Sequence, residues 1–521
     1  MATAPRETWS LRKPVVTGSG GLVAAQHVGA AEVGAQVLEA GGNAVDAALA
    51  ASLALGVLEP WMSGLGGGGS MVIARADGVV EAIDFGMVAP AGLDPAAYPV
   101  VEGHDDELFG WPAVLEGRNL LGPLSIAVPG QAAGLGLAHR RHASMPWAEL
   151  CAPAIALARR GLPVTWYTTL RIAAGARDLV RFDAAKAIYL PDGAPPVPPA
   201  DGALAHLPLG RLAETLERLA AAGPEDLVAG ELARLLVSDV QAAGGVLGPG
   251  DLARYQAQGD APVLTEHAGA IFATPDGLTA GPTFAHALAL IRGKVPRGAP
   301  GPAAYPAWAE ALLVAYEQRL ASMGDVDDRR DPACTTHLSV VDRAGTMVSL
   351  TQTLLSPFGS RIVSPSTGIL LNNGMMWFDP RPGGPNAIAP GKRPLSNMCP
   401  LVAMKAGAPW LALGASGGRR ILPAVLQISS MLADCGLDLE SAFHMPRIDV
   451  SGGPTVNADL RLGPEALAQL HARFPVREVE RAVLPNLFAC PTAVLRDPDT
   501  GEATGMTDPV QPVAGAVPVA V

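Results

Sequence analysis

Two adjacent threonines, Thr335 and Thr336, stand at the head of the segment CTTHLSVVD, whose composition predicts a β-strand. A threonine hydroxyl in water is a poor nucleophile and needs a neighbouring base. An α-amino group, with a pKa of about 7.7–8.0, is one suitable base. Cleavage of the bond between Cys334 and Thr335 would make Thr335 a new N-terminus and supply that amine. Thr335 is therefore the candidate nucleophile, and the 334–335 bond is the candidate cleavage site.

A second hydroxyl is expected beside the first. The segment THLSVVDRAGTMVSLTQTL alternates and is broken by the turn sequence DRAG, so it predicts a β-hairpin. With the turn centred near Arg343 and Ala344, Thr353 falls opposite Thr335 to within about one residue. Thr353 could then orient the nucleophile. The alternative, that these are ordinary strand threonines, stays open on this segment alone.

Composition limits the classes of function that fit. The chain has 521 residues, of which 49% are apolar, so it can form several domains or one large α/β unit. The net charge of −12 argues against a nucleic-acid partner, which usually binds a clustered basic face. The cysteines form no CxxC pair, so we expect neither a disulfide framework nor a zinc site, and we predict no metal and no cofactor. The cysteines are Cys151, Cys334, Cys399, Cys435 and Cys490.

The sequence gives no sign of a membrane partner. Its first residues lack the apolar core of a signal peptide. The most apolar run, from Ala44 to Leu58, carries Asp46 and is shorter than the about 20 residues that span a bilayer. We expect a soluble, cytoplasmic protein.

Periodicity predicts the elements around the threonines. Residues 28 to 57 predict two helices split by AGGN, with Asn43 as the N-cap of the second. The GxGxxG letters from Gly64 to Gly69 follow a helix and precede the strand SMVIARADG, the reverse of the order in a dinucleotide site. Residues 130 to 260 predict mostly helices, and residues 324 to 334 an exposed linker. RIVSPSTGILLNN and LVAMKAGAPWLALGAS predict strands, and RRILPAVLQISSMLAD predicts a helix.

Seven blocks in order resemble the γ-glutamyltranspeptidase family of N-terminal-nucleophile hydrolases. They include GGNAVDAALAASLALGVLEPWMSGLGGGGSMVI, LSIAVPGQAAGL, TTHLSVVDRAGTMVSLTQT, GKRPLSNMCP and GASGGRRI, and the resemblance covers roughly residues 20 to 515. It implies an α+β fold, a four-layer αββα sandwich. It also implies one composite catalytic domain made of a large subunit, residues 1–334, and a small subunit, residues 335–521, produced by self-cleavage. In that family pattern Thr335 is the nucleophile, Thr353 bonds to it, and Gly417 and Gly418 line the oxyanion hole.

The chain departs from the family pattern where the glutamyl head group would bind. The family's carboxylate-binding arginine aligns with Gly86, and its amine-binding aspartate aligns with Trp377. A polar contact of the family aligns with Gly374, and an asparagine aligns with Leu355. Of two carboxylate-binding serines Ser396 remains, while the second is Asn397. The segment after Trp377 is short, as in lidless amidases and cephalosporin-acylase-like members. Met376 and Trp377 either line the pocket or belong to the core.

Two arginines lie beside the implied catalytic blocks. Arg361 or Arg419 could pair with a single carboxylate and favour a dicarboxylic monoacyl group, or both could be surface arginines. The first hypothesis is a self-processed amide hydrolase or acylase that acts on a small-molecule amide. The alternatives are a γ-glutamyl hydrolase or transferase acting on glutathione, and an unprocessed, non-enzymatic relative with a binding role. A homo-oligomer is compatible with each.

Overall fold

The computed structural model describes residues 10–104, 111–323, 334–451, 453–484 and 486–520. The charged stretch from 324 to 333, predicted above as a linker, lies outside the described residues. The strands in chain order are β1 (Val16–Gly18), β2 (Gly21–Ala25), β3 (Gly68–Ala74), β4 (Val80–Phe85), β5 (Val100–His104), β6 (Pro112–Val114), β7 (Leu162–Pro163), β8 (His206–Leu207), β9 (Gln258–Asp260), β10 (Val263–His267), β11 (Ala270–Thr274), β12 (Cys334–Asp342), β13 (Met347–Leu355), β14 (Leu401–Lys405), β15 (Ala408–Ser416), β16 (Ile448–Asp449), β17 (Val456–Asp459), β18 (Val476–Val479), β19 (Cys490–Arg496), β20 (Ala503–Thr507) and β21 (Gly515–Pro518).

Helices flank these strands in sequence. They are α1 (Val28–Glu39), α2 (Ala44–Leu58), α3 (Gln131–His142), α4 (Trp147–Arg160), α5 (Trp166–Leu179), α6 (Asp183–Tyr189), α7 (Leu212–Ala222), α8 (Asp226–Ala229), α9 (Glu231–Ala242), α10 (Pro249–Arg254), α11 (Gly281–Leu290), α12 (Ala304–Met323), α13 (Ile421–Ala433), α14 (Leu439–His444) and α15 (Pro464–His471). Within the described ranges, none of these helices combines the length and the apolar character that crossing a bilayer requires.

The described strands include two seven-stranded sheets. One has the order β1-β20-β19-β15-β14-β11-β10, and the other has the order β21-β2-β12-β13-β3-β4-β9. Every pairing within these two sheets is antiparallel. The hairpin β12–β13 lies at the centre of the second sheet, where β2 and β3 cover its two edges. Its ladder is thereby hydrogen-bonded on both sides.

Three apolar layers hold the sheets and helices together. Leu338 and Val340 of β12 join a cluster with α1, α2, α4 and α7 on the outer face of the second sheet. Side chains from both sheets, among them Val341 and Val494, form the layer between them. Helices α11, α12 and α13 pack on the outer face of the first sheet. Because each sheet buries both faces, the order is helix, sheet, sheet, helix, and the predicted αββα sandwich is confirmed.

Local sequence signals account for most of these elements. Asn43 caps α2: its Oδ1 accepts hydrogen bonds from Val45 and Asp46, and the Asp46 carboxylate accepts one from the Asn43 N–H. The predicted hairpin, the strand after the glycines and the helix α13 are all present. The strand prediction for RIVSPSTGILLNN is wrong: the segment forms only isolated bridges, such as Val363 with Leu370. Pro365 lacks a donor, and the Gly368 N–H bonds back to the Ser364 carbonyl, so the chain turns there.

Candidate active site

Thr335 and Thr353 meet at the open end of the central hairpin. Cys334 pairs with Leu355 and Thr336 with Gln352, and a bulge between these pairs leaves Thr335 out of register. The Thr335 hydroxyl lies 3.4 Å from the Thr353 Oγ1, which also accepts a hydrogen bond of 2.8 Å from the Leu355 N–H. Both threonine side chains are buried. The predicted contact between the two hydroxyls is therefore present.

The packing of the two sheets places the end of β15 at the end of the sandwich where Thr335 and Thr353 lie. The Ser349 hydroxyl of β13 donates to the Leu413 carbonyl of β15 at 2.9 Å. One step further, Gly414 faces His337 so closely that a Cβ on this glycine would lie 2.3 Å from the imidazole ring. Continuing in that direction along β12 leads to Thr335, and along β15 it leads to Gly417. The structure thus brings the glycine turn and the threonine pair to one edge.

The turn after β15 has a backbone shape that only glycine adopts readily. Gly417 has a φ of 133° and Gly418 a φ of 57°. A Cβ on Gly417 would lie 2.9 Å from the Ala489 Cα, and the Arg420 N–H closes the turn on the Gly417 carbonyl at 3.1 Å. Turns of this kind direct successive N–H groups toward one side, where they can hold an anion. This geometry is suited to a developing oxyanion.

An apolar cluster borders the threonine pair. Leu355, which closes the hairpin beside Thr353, packs with Met376 and Trp377 of the short 3-10 turn at residues 374–377, and with Trp111. Met376 and Trp377 are buried in this cluster, and the Trp377 carbonyl accepts a hydrogen bond of 2.7 Å from Asn386. Met376 and Trp377 therefore belong to a buried core cluster, called the apolar wall below, and their lining of a substrate pocket stays a prediction. Its members are Met87, Ala89, Leu93, Tyr98, Trp111, Val114, Ala127, Leu355, Met375, Met376, Trp377, Phe378, Ile388 and Met398.

The two substituting glycines are held by close neighbours. A Cβ on Gly374 would lie 2.7 Å from the Ala127 Cβ, so the site leaves no room for a polar side chain there. Gly86 follows β4, and its carbonyl accepts hydrogen bonds from the Tyr255 hydroxyl at 2.7 Å and from Arg393 at 2.9 Å. Neither position carries a charge that could bind a glutamyl head group.

Ser396 and Asn397 lie in an extended segment before β14, and both are mostly buried. The Ser396 N–H donates to the Leu278 carbonyl at 2.7 Å, and its carbonyl accepts from Arg319 at 2.5 Å. The Ser396 Oγ accepts from the Met398 N–H at 3.3 Å. Met398 belongs to the apolar cluster, so this segment adjoins the same wall.

The two candidate arginines have different surroundings. Arg419 follows the glycine turn, and its guanidinium carbon lies 5.6 Å from the centre of the Trp111 ring, within reach of a cation–π contact. Arg361 donates to Ser356 at 2.9 Å and to the Gly359 carbonyl at 2.5 Å, and lies 3.7 Å from the Asp178 carboxylate. The structure thus brings Arg419 to the apolar wall, while these contacts join Arg361 to its own loop and to α5.

Buried titratable groups surround the hairpin. On the helix side, the Thr336 hydroxyl donates to Glu59 at 3.2 Å, and burial raises the pKa of Glu59 to about 8. On the inner side, His337 contacts Thr351 at 2.8 Å and Ser339 at 3.0 Å, and burial lowers the pKa of His337 to about 3. The imidazole is therefore neutral at pH 7, and it supports the sheet interface instead of serving as the base for Thr335.

Three residues that the sequence interpretation missed adjoin the site. Glu59, Tyr316 and Arg319 are buried polar residues, and no local signal singles out Arg319, because α12 also carries Glu310 and Glu317. As for metals, no group of three or more His, Cys, Asp or Glu side chains capable of holding an ion occurs in the part of the chain that the structure describes.

Comparisons with known proteins agree with this geometry. The family model described as gamma-glutamyltranspeptidase matches residues 30–333 and 327–517. The acylase ACY 1 proenzyme of Pseudomonas sp. (strain V22) is 35% identical over 483 residues, 85% of each chain. The glutathione hydrolase proenzyme of Escherichia coli (strain K12) is 30% identical over 542 residues, covering 94% of this chain and 90% of its own. Cephalosporin acylase from Bacillus halodurans superposes with a TM-score of 0.84 at 25% identity and 99% coverage of both chains. This chain therefore belongs to the γ-glutamyltranspeptidase family and is an enzyme of that family.

Proposed function

We propose that this enzyme is an acylase that cleaves its own chain before Thr335 and then hydrolyses an acyl amide through an acyl-enzyme on that residue. The observation that carries the proposal is the Thr335–Thr353 hydroxyl contact of 3.4 Å beside an apolar wall. The acylase ACY 1 relatives, which are 35% and 34% identical to this chain, support it. The large subunit would comprise residues 1–334 and the small subunit residues 335–521.

The proposed reaction uses the residues of the hairpin and the glycine turn. After cleavage the α-amino group of Thr335 takes the proton of its own hydroxyl, and the oxygen attacks the amide carbonyl. The Gly417 and Gly418 N–H groups stabilise the negative oxygen of the tetrahedral intermediate. Its collapse breaks the C–N bond, and the leaving amine takes the proton from the Thr335 ammonium. Water then attacks the ester with the same amine as base, which releases the acid and restores Thr335.

Thr353 would position the nucleophile in both steps. Its Oγ1 is fixed by the Leu355 N–H at 2.8 Å and so presents a set oxygen toward Thr335. Orientation of reacting groups within a folded site supplies a large part of many rate enhancements. Because Leu355 also belongs to the apolar wall, the same residue joins the nucleophile to the acyl-binding surface.

The wall favours an acyl group without a zwitterionic head. A γ-glutamyl group carries one cation and one anion. Burying either charge without a partner costs several kcal/mol, about as much as removing one partner of a buried ion pair. The residues at the corresponding positions are Gly86, Leu355, Gly374 and Trp377, and none is charged. An acyl chain that is apolar, or that ends in a single carboxylate, fits these positions better.

Arg419 is our preferred candidate for binding such a carboxylate. Its guanidinium lies over Trp111, which is part of the wall, and a planar guanidinium can bind a carboxylate with two parallel hydrogen bonds. Arg361 is the weaker candidate, because its contacts with Ser356, Gly359 and Asp178 direct its guanidinium toward its own loop and α5. This role for Arg419 would favour a dicarboxylic monoacyl group such as glutaryl.

Two measurements test the proposal. A denaturing gel of the purified protein should show fragments of 334 and 187 residues, since 521 − 334 = 187, whereas a single full-length band would favour a non-enzymatic relative. The processed enzyme should then be assayed with γ-glutamyl, glutaryl and plain aliphatic anilides. A γ-glutamyl preference of tenfold or more, about 1.4 kcal/mol, would contradict the argument from the uncharged wall. If glutaryl is preferred, Arg419→Ala should remove the preference and Arg361→Ala should keep it.

A further inference from the structure

The helix α12 reaches two separate segments of the site from the same face. Tyr316 and Arg319 are three residues apart, so both side chains project from one side of the helix. Both are buried against the first sheet. Their polar groups lie next to the glycine turn and to the segment around Ser396, respectively.

Tyr316 fixes the glycine turn through its backbone. The Tyr316 hydroxyl donates a short hydrogen bond to the Arg419 carbonyl. The N–H of the same peptide unit, which belongs to Arg420, donates to the Gly417 carbonyl at 3.1 Å. The peptide between residues 419 and 420 is therefore held at both ends. Because only one peptide unit separates it from Gly418, and because its N–H bonds back to Gly417, it limits how the two glycine N–H groups can rotate.

Arg319 fixes the segment of Ser396 and Asn397. Its guanidinium donates to the Ser396 carbonyl at 2.5 Å, to the Thr279 carbonyl at 2.7 Å and to the Thr283 hydroxyl at 3.1 Å. Burial lowers the pKa of Arg319 to about 10. These three acceptors are neutral oxygens, so burying the guanidinium charge beside them costs free energy. Packing an apolar side chain in the same place would not carry that cost. The three hydrogen bonds hold the segment around Ser396 in place beside the apolar wall.

We propose that Tyr316 and Arg319 are positioning residues for acyl transfer: Tyr316 sets the oxyanion-binding turn, and Arg319 sets the acyl-binding segment. The inference rests on the proposed function, because it assigns roles to the turn and the segment in that reaction. It further implies that α12, on the large-subunit side of the proposed cleavage site, holds the glycine turn and the Ser396 segment of the small subunit in place.

Tyr316→Phe tests the first role with little change in shape. We expect kcat to fall by about tenfold, less than the loss for a whole oxyanion donor, with KM within about threefold, because the turn acts on the transition state. Tyr305→Phe is the matched control: Tyr305 is also buried on α12, and its hydroxyl donates to the Pro446 carbonyl at 3.3 Å, a residue outside the site. A wild-type kcat for Tyr316→Phe, or equal losses in both variants, would overturn this role.

Arg319→Lys tests the second role, since lysine keeps the charge but cannot reproduce the guanidinium's three fixed bonds. We expect KM to rise by about tenfold with a smaller change in kcat, the sign of lost ground-state positioning. Unchanged KM in a folded, processed variant would overturn the role. If wild-type enzyme cleaves itself but hydrolyses no amide, the proposed function fails separately. The rate at which p-nitrophenyl acetate acylates Thr335, read by mass spectrometry of the small fragment, then still reports on Tyr316→Phe.

Discussion

Thr353→Val isolates the contact between the two hydroxyls. Valine keeps the branched shape of threonine and removes only the Oγ1, which accepts hydrogen bonds from the Thr335 hydroxyl at 3.4 Å and from the Leu355 N–H at 2.8 Å. The buried Leu355 N–H would lose its acceptor, which costs about 1–3 kcal/mol in the free energy of unfolding. Leu355 also has a φ of 87°, a strained conformation that this hydrogen bond helps to hold. We therefore expect a folded but measurably less stable protein.

The larger effect should be on rate. Without the Thr353 oxygen, the Thr335 hydroxyl loses a neighbour that orients it, and a misplacement of about 1 Å can cost about 10²-fold. Cleavage of the precursor and turnover of the amide should both slow, by about tenfold to a hundredfold. The same hydroxyl performs both attacks, so the two rates should fall together.

A time course on denaturing gels measures precursor cleavage, and kcat of the processed fraction measures turnover. Thr351→Val is the matched control, since Thr351 lies on the same face of β13 and contacts His337 at 2.8 Å. It should lose similar stability and keep both rates close to those of the wild type. Wild-type rates in Thr353→Val, or equal slowing in the control, would refute the role that we assign to Thr353.

Three further predictions concern the nucleophile, the turn and a buried carboxyl. Thr335→Ala should remain a full-length, inactive precursor on a denaturing gel, and cleavage after residue 334 in this variant would contradict self-processing. Gly417→Ala should lose most activity, because Gly417 has a φ of 133° and the new Cβ would lie 2.9 Å from the Ala489 Cα. Gly436→Ala is the control for backbone strain alone, since Gly436 has a φ of 72° and open space around it, and this variant should stay active. Burial raises the pKa of Glu59 from 4.5 to about 8, so the folded state holds a proton that the unfolded state releases and wild-type stability falls as pH rises through that window. Glu59→Gln cannot titrate, and urea unfolding should show it gaining stability relative to wild type from pH 5 to pH 8, whereas a constant difference would contradict the shift.

Much of the hairpin could be predicted because its signals are local. The DRAG turn and the alternation on either side fix the pairing of β12 with β13, and this register brings Thr353 to Thr335. The helix α2 was equally predictable, because Asn43 and Asp46 form its capping box within four residues. The segment from 361 to 373 failed for the converse reason: its apolar letters suit a strand, but a proline and a tight turn interrupt the pairing.

By itself, the sequence determined the candidate nucleophile, its partner hydroxyl, the glycine turn and the loss of charged groups at the head-group positions. The two hydroxyls follow from residue type and from spacing along one hairpin, whereas the role of the glycine turn and the head-group positions are what the family resemblance implies. The tertiary structure decided which distant segments share the site. The stacking of the sheets brings Gly417 to the edge where Thr335 lies, and α12 brings Tyr316 and Arg319 to the glycine turn and to Ser396. Such contacts join residues far apart in the chain, and their geometry is set by how apolar faces pack, which no local pattern encodes.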